Sequence, residues 1–413
     1  MSKKISSGTL RWVSLVAVLA GCADRDERWS GSVETLPNGA VRVTNPAQGV
    51  WRERSAWALV PELRLGEAEG PEATVFASIS GFAVDDLGRI YVLDRRPNEL
   101  RIFTRDGAHL RSVGRSGGGP GEYVAANGLL WLSSDTLVAV DHRAARYSIL
   151  TREGEYVRSV PRRLGFVSWA FTGGYHDGRI YERGEVQTDP NWQRTLVGNA
   201  PDQRPALLGT SVRGGDSVAQ SGIDTVLLVQ PTGTLYESFS VASERGAMMM
   251  DVPFTPRPVY HLDSDGNVWQ GHGSEFRIVR SSLAGDTIME IVLDAAPAPV
   301  TDAEIAEWES GESVARFRQM GGRIDMNRIP KVKPFFDGLY LDPGGYLWVS
   351  VPAGPMETVF ALLDPEGRYL GRLELNDLKR DPFLQPVVRN GRLYLVGRDE
   401  LDVQRVYVFR IGS

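Results

Sequence analysis

Cysteine is nearly absent from this sequence, since Cys22 is the one cysteine among 413 residues. No disulfide can therefore form within a single chain. A chain of this length can bury a core large enough to fold without disulfides, whereas small exported domains often need them. We therefore expect apolar burial and backbone hydrogen bonds to stabilise the fold.

Basic residues are also fewer than acidic residues. The chain has 46 Lys and Arg against 52 Asp and Glu, which gives a formal net charge of -6. Proteins that bind nucleic acids generally carry a basic surface, so this balance argues against that class. We expect no nucleic-acid partner.

The apolar run at residues 12–20 is too short to span a bilayer, which takes about 20 residues. It follows Lys3, Lys4 and Arg11, and it ends in Leu19-Ala20-Gly21-Cys22. That tetrapeptide resembles the lipobox of exported bacterial lipoproteins. The resemblance implies that residues 1–21 are a signal peptide and that the Cys22 thiol carries lipid, which anchors the protein to a membrane of the cell envelope, facing the periplasm or the cell surface. Residues 22–54 are polar and predict a flexible tether.

One unit of four short apolar strands and tight turns recurs along the rest of the chain. Copies lie at 81–114, 128–160, 259–293 and 338–375, an incomplete copy lies at 385–411, and a split copy combines 169–184 with 223–240. Repeats of about 40–45 residues with four strands are typical of propeller blades. The sequence predicts an all-β, six-bladed β-propeller over 55–413, with 185–222 as an insertion. Seven blades remain an alternative, because 185–255 is long enough to hide one more.

Two segments fall outside this repeat. Residues 56–65 form an isolated apolar strand, and we expect it to complete the last blade and close the ring. Thr301 and Glu304 have the spacing of a capping box, and Ile305, Trp308, Val314 and Phe317 follow at roughly helical spacing. The sequence therefore predicts one helical insertion over 295–335.

The connector at 114–123, GRSGGGPGEY, leads into GLLWLSSDTLVAVD. This pair of segments resembles the NHL repeat. The chain also resembles the bacterial 6-bladed β-propeller lipoproteins, which share the Pro299-Val300-Thr301 opening of the helical insertion and the RDELDV segment at 398–403. The resemblance implies the propeller fold and supplies no chemistry.

Motifs that could carry chemistry are weak. Residues 114–118 fit G-x-S-x-G but join two strands, whereas a nucleophile elbow leads into a helix. Asp263 to Asn267 resembles the start of a calcium loop, but Ser274 stands where a Glu is needed, so a hairpin turn is favoured. The five histidines lack zinc-ligand spacing. We predict no catalytic residue, metal or cofactor, although a Ser-His-Asp site built from several blades stays open.

Four tryptophans lie in blade strands and are interpreted as packing between blades, with a sugar-stacking platform as the alternative. They are Trp131, Trp169, Trp269 and Trp348.

The long loops all belong to one face of the predicted propeller. That face, called here the loop-rich face, carries the second-to-third strand turns and the links between blades, while the opposite tight-turn face carries the other turns. Long loops on a rigid scaffold are common binding sites. The candidate ligand-binding residues on this face are Arg95, Arg96, His142, Arg143, Arg146, His272, Glu275 and Arg398. The arginines could hold carboxylate or phosphate groups. The alternative is a solvated, charged rim whose side chains pair with one another.

These observations favour a non-catalytic envelope protein that binds a protein, peptide or glycan through the loop-rich face. The alternative is a metal-dependent hydrolase or lyase with its site at the mouth of the central channel.

Overall fold

The computed structural model describes residues 29–51, 55–162, 171–187, 203–213, 224–227, 237–243, 246–354 and 356–412. The predicted signal peptide and Cys22 lie outside these residues. Within them, no helix has the length and apolar character needed to cross a bilayer.

The described residues form six four-stranded antiparallel blades. Three strands come first in the chain: β1 (Ser32–Thr35), β2 (Val41–Pro46) and β3 (Ala58–Leu65). Blade one contains β4 (Ile79–Val84), β5 (Ile90–Asp94), β6 (Glu99–Phe103) and β7 (His109–Val113). Blade two contains β8 (Ala126–Ser133), β9 (Thr136–Asp141), β10 (Arg146–Thr151) and β11 (Tyr156–Pro161). Blade three contains β12 (Gly173–His176), β13 (Arg179–Gln187), β14 (Gln203–Ser211) and β15 (Asp224–Leu227).

The other elements follow in chain order. A hairpin of β16 (Ser238–Ser243) and β17 (Gly246–Asp251) precedes blade four, which contains β18 (Pro258–Leu262), β19 (Asn267–His272), β20 (Arg277–Ser282) and β21 (Thr287–Asp294). Helices α1 (Asp302–Ser310) and α2 (Glu312–Gln319) precede blade five, which contains β22 (Gly338–Leu341), β23 (Leu347–Val351), β24 (Glu357–Leu363) and β25 (Tyr369–Asn376). Blade six combines β27 (Val387–Arg389), β28 (Arg392–Arg398) and β29 (Gln404–Gly412) with β3, and β26 (Lys379–Arg380) pairs with the far end of β28. Short 3-10 turns cover Glu72–Thr74 and Met326–Arg328.

The hydrophobic core is divided among the contacts between neighbouring blades. One apolar cluster joins blade one to blade two through residues such as Tyr91 and Leu137, and another joins blade five to blade six through Trp348 and Leu395. Equivalent clusters fill the other four contacts around the ring. The blades are therefore arranged around one axis, as the six-fold repeat predicted.

The ring closes as expected from the isolated apolar strand. β3 pairs antiparallel with β29, and the register runs from Val406 opposite Leu65 to Gly412 opposite Ala58. A strand from before blade one thereby supplies the fourth strand of the last blade.

Blade three differs from its predicted layout. β14 lies inside the predicted insertion 185–222, and β14 and β15 are the third and fourth strands of this blade. The segment 223–240 was expected to supply both outer strands, but only β15 belongs to the blade. The hairpin β16–β17 stands apart as a separate two-stranded sheet.

The prediction of a flexible tether over 22–54 is wrong for residues 29–51. β2 pairs in parallel with β21 and β1 pairs with β2, so both extend the sheet of blade four. The Asn45 side chain is fully buried and donates to the carbonyl of Gly367 at 3.0 Å. Its Oδ1 accepts from the Tyr369 N–H at 2.7 Å and from Trp29 Nε1 at 3.0 Å. Hydrogen bonding thus attaches this segment, called here the N-terminal strap (residues 29–51), to blades four and five.

The single predicted helix is in fact two. Thr301 caps α1 with the full capping box, and the Gly311 N–H bonds to the Trp308 carbonyl to end it, with Gly311 in an extended conformation. Apolar side chains of α2, chiefly Val314 and Phe317, pack against Phe239 and Met250 of the β16–β17 hairpin. We call α1, α2 and this hairpin the satellite module.

Candidate functional site

The eight predicted ligand-binding residues all lie at second-to-third strand turns on the loop-rich face. Arg95 and Arg96 follow β5, His142 and Arg143 follow β9, and Arg146 begins β10. His272 ends β19, Glu275 lies in the turn after it, and Arg398 ends β28. The structure brings Arg95 of blade one near His142 of blade two, and Glu275 near His272 within blade four, close enough in each pair to influence the protonation of the histidine. Arg398 belongs to a further blade, blade six.

Arg146 and Arg398 both donate to backbone carbonyls. Arg146 donates to the carbonyls of Gly118, Gly119 and Glu122 at 2.9, 3.1 and 2.6 Å, and so holds the glycine-rich connector. Arg398 donates to the Asp402 carbonyl at 2.9 Å within its own turn. Arg96 and Arg143 are exposed.

The two predicted histidines are at least partly buried. Burial lowers the pKa of His142 below its ordinary value, and the nearby Arg95 acts in the same direction. Burial also lowers the pKa of His272, whose Nδ1 is 2.8 Å from Ser274 Oγ. Nδ1 of His142 and Nε2 of His272 have no hydrogen-bond partner among the described residues. Both imidazoles are therefore neutral at pH 7.

The loop-rich face also contains a cleft that the sequence did not predict. It lies between the satellite module and blades five and six, and its volume is about 560 Å³. That volume falls in the range of about 300–1,000 Å³ that is typical of ligand sites. Its apolar walls include Phe254, Trp308, Val351, Pro352 and Pro382.

Ion pairs fix the polar groups at the base and rim of this cleft. The Arg380 side chain is 9% exposed, and it lies 3.5 Å from Asp337 and 3.0 Å from Ser350 Oγ. Lys379 Nζ lies 2.6 Å from Glu307 of α1 and so links the satellite module to the connector before blade six.

Glu304 of α1 forms the second link at this cleft, because it lies 2.6 Å from Lys333 Nζ. Burial would raise the pKa of Glu304, but hydrogen bonds from Lys333 and Thr301 hold that pKa below its ordinary value of 4.5. Glu304 therefore stays ionised at neutral pH.

A second cavity, of about 420 Å³, is the central channel. The inner strands of all six blades line it, together with Asp263, Asp342 and Pro343 from turns on the tight-turn face. His261 of β18 lies in its wall, where burial lowers the pKa of this histidine from 6.5 to about 4. In the described part of the chain, no group of three or more His, Cys, Asp or Glu side chains is arranged to hold a metal ion.

Three of the four predicted blade tryptophans can be placed. Trp348 is fully buried between blades five and six, and Trp269 packs between blades four and five. The Trp131 ring meets Tyr91 edge-on at 5.1 Å, across the contact between blades one and two. This confirms packing between blades for these three, and Trp169 lies outside the described residues.

Comparison with known proteins supports the fold. A family model described as "6-bladed beta-propeller" (DUF5128) matches residues 69–146, which cover blade one and the beginning of blade two. No curated protein matches the sequence.

Solved structures give the same architecture at low sequence identity. A member of the DUF4221 family from Bacteroides vulgatus superposes with a TM-score of 0.53 at 12% identity, covering 87% of this chain and 100% of that chain. A putative exported protein from Bacteroides fragilis superposes with a TM-score of 0.47 at 11% identity, covering 90% of this chain and 100% of that chain. Virginiamycin B lyase from Staphylococcus aureus superposes with a TM-score of 0.41 at 12% identity, covering 86% of this chain and 99% of that chain. Only the first of these scores is high enough to support an argument, and at 12% identity that argument concerns the fold alone. The chain is a mainly-β, six-bladed propeller with two short helices.

Proposed function

We propose that this protein is an exported, lipid-anchored binding protein that holds a protein, peptide or glycan in the cleft beside its satellite module. The observation that carries the proposal is the cleft itself. Two segments outside the blades, 237–243 with 246–257 and 295–337, pack on each other and, with blades five and six, enclose an apolar-walled space of about 560 Å³ on the loop-rich face.

The anchor part of the proposal rests on Lys3, Lys4, Arg11 and the lipobox-like sequence ending at Cys22. The test is to express the full chain and its Cys22→Ser variant in a bacterium fed an alkyne-tagged fatty acid. We expect the full chain to incorporate the tag and to sediment with membranes, and the variant to do neither. An untagged, freely soluble full chain would remove the anchor from the proposal.

The binding part is tested by blocking the cleft. Ala353 lines the cleft from the loop between β23 and β24, so Ala353→Trp adds a bulky ring inside it. Leu87 is 61% exposed on the tight-turn face, so Leu87→Trp adds the same ring on the opposite side of the molecule and is the matched control.

Detergent-purified full chain and both variants are applied to a display library of random seven-residue peptides and to a glycan array. We expect ligands that bind the full chain and the Leu87→Trp variant but not the Ala353→Trp variant. Ligands that bind all three proteins equally would place recognition elsewhere and overturn this part of the proposal. Circular dichroism spectra that match between the variants show that the fold is retained.

A further inference from the structure

The charges around the cleft are unbalanced. Five carboxylates line it against two cations. The carboxylates are Glu304, Glu307, Glu312, Asp337 and Glu357, and the cations are Lys379 and Arg380.

Three of the five carboxylates are already neutralised by ion pairs. Glu307 pairs with Lys379 at 2.6 Å, Asp337 with Arg380 at 3.5 Å and Glu304 with Lys333 at 2.6 Å. Both cations of the cleft are thus used by the protein itself, and neither is left to neutralise a further carboxylate.

Glu312 and Glu357 are the remaining two, and neither forms an ion pair with another described residue. Glu312 is the first residue of α2, and Glu357 is the first residue of β24. They therefore lie on separate elements, one on the satellite module and one on blade five. Glu357 Oε2 accepts a hydrogen bond from the Gly354 N–H at 3.0 Å, which fixes that carboxylate beside the loop.

The apolar walls next to these carboxylates favour a particular kind of cation. Trp308 is partly exposed and lines the cleft, and Phe254 and Pro352 line it as well. Lysine and arginine side chains carry an apolar stem that can lie along such a wall, with a charged head that reaches an acidic group. A cation that approaches a tryptophan ring gains a further electrostatic attraction.

From this complementarity we propose that the cleft binds a peptide segment through a lysine or arginine side chain, with apolar neighbours of that residue lying against Trp308 and Phe254. This inference rests on the proposed function, because it assigns a ligand class to the same cleft. A volume of about 560 Å³ has room for more than one side chain, which fits a peptide segment. A neutral glycan would offer no positive charge to pair with Glu312 and Glu357.

The test starts from the display library of random seven-residue peptides and keeps those that bind the full chain but not the Ala353→Trp variant. Each retained peptide is synthesised in two versions, one with its original sequence and one with its Lys or Arg replaced by Gln. We expect the retained peptides to contain Lys or Arg and to lose about tenfold in affinity on replacement, as close charge pairs at interfaces predict. Raising the salt concentration from about 50 to about 300 mM should reduce the difference in affinity between each peptide and its Gln form, because salt screens exposed charges.

The matched protein variant is Glu312→Gln combined with Glu357→Gln, which keeps the shape of both side chains. It should bind the charged and the Gln peptides equally, while Leu87→Trp should preserve the preference. Retained peptides without Lys or Arg, or glycans that alone require the open cleft, would overturn this inference and leave the proposed function standing. If no peptide and no glycan depends on the cleft, the proposed function fails and the inference fails with it.

Discussion

One aspartate begins the turn between the first and second strands in blades one, four and five. In blade four, Asp263 Oδ1 accepts from the N–H groups of Asp265 and Asn267 at 3.0 and 2.8 Å, and its Oδ2 accepts from Trp269 Nε1 at 3.0 Å. Asp85 and Asp342 make equivalent bonds, with Tyr91 and Trp348 as the aromatic partners six residues later. The calcium-like sequence at Asp263 is thus a hairpin turn whose carboxylate holds its own backbone, as the sequence favoured.

Replacing this aspartate should be costly. Asp263→Ala leaves two backbone N–H groups and the Trp269 Nε1–H without their acceptor, and we expect a loss of about 2–3 kcal/mol in the free energy of unfolding. The side chain of Asp265, in the same turn, is exposed, so Asp265→Ala should change the free energy of unfolding by less than about 0.5 kcal/mol. Urea unfolding of both variants measures the difference. Equal losses would show that the hydrogen bonds of Asp263 do not determine the stability of this turn.

His261 makes stability dependent on pH. Its pKa is about 4 in the folded protein against 6.5 ordinarily, so the unfolded chain binds more protons between these values. The contribution of neutral His261 to the free energy of unfolding is therefore fully present above about pH 6.5, and it is lost as the pH falls toward about 4. We expect the Tm of His261→Asn to fall less between about pH 7 and about pH 4.5 than that of the unchanged protein. Burial lowers the pKa values of His142 and His272 as well, so the variant should remove part of the acid sensitivity. An identical fall in both proteins would contradict this assignment.

At the level of elements, the sequence predicted what depends on local pattern. The hairpins of blades one, two, four and five follow from alternating apolar residues and Gly or Asp turns. The N-terminal strap could not be predicted from such a pattern, because β2 is held by parallel pairing with β21, which lies far away in the sequence. The hairpin β16–β17 contains the run Met248-Met249-Met250, which has no alternation, and it is stabilised instead by packing of Met250 and Phe239 on α2. The cleft was missed for the same reason, since it is assembled from two insertions and blade five.

The inner strands pack so closely that glycine is required at particular positions. A Cβ on Gly128 of β8 would overlap the Cβ of Phe171, so one of the two backbones must move. We expect Gly128→Ala to lower the free energy of unfolding by about 1–3 kcal/mol, as overpacking does. A Cβ on Gly118 of the connector would have no neighbouring atom within 4 Å, so Gly118→Ala is the matched control. Thermal unfolding of Gly118→Ala and Gly128→Ala tests this, and equal Tm values would argue against crowding at Gly128.

At the scale of the whole molecule, the pairing of β3 with β29 converts an open array of blades into a closed ring. It covers a sheet edge that would otherwise be exposed, and it joins the two ends of the propeller sequence. Opening of this pair should therefore be an early step in unfolding.

A disulfide across this closure should stabilise the ring. Arg64 and Tyr407 are directly opposite each other in the register, so their Cα atoms are separated by about 4.5–5.5 Å, within the range that a disulfide bridges. Arg64→Cys combined with Tyr407→Cys, in a Cys22→Ser background, should raise the free energy of unfolding by about 4 kcal/mol, because the bridge closes a very long loop. The Tm gain should vanish on addition of a reductant. A gain that survives reduction, or no gain after confirmed oxidation, would show that closure does not limit unfolding.

The N-terminal strap has a consequence for how an anchored molecule would be oriented. It leaves few residues between Cys22 and Trp29, and a fully extended chain of that length reaches at most about 25 Å. A lipid on Cys22 would therefore keep Trp29, next to the outer strand of the blade-four sheet, within about 25 Å of the bilayer surface. The side of the ring that carries blade four would then face the membrane more often than the opposite side, which carries blade one.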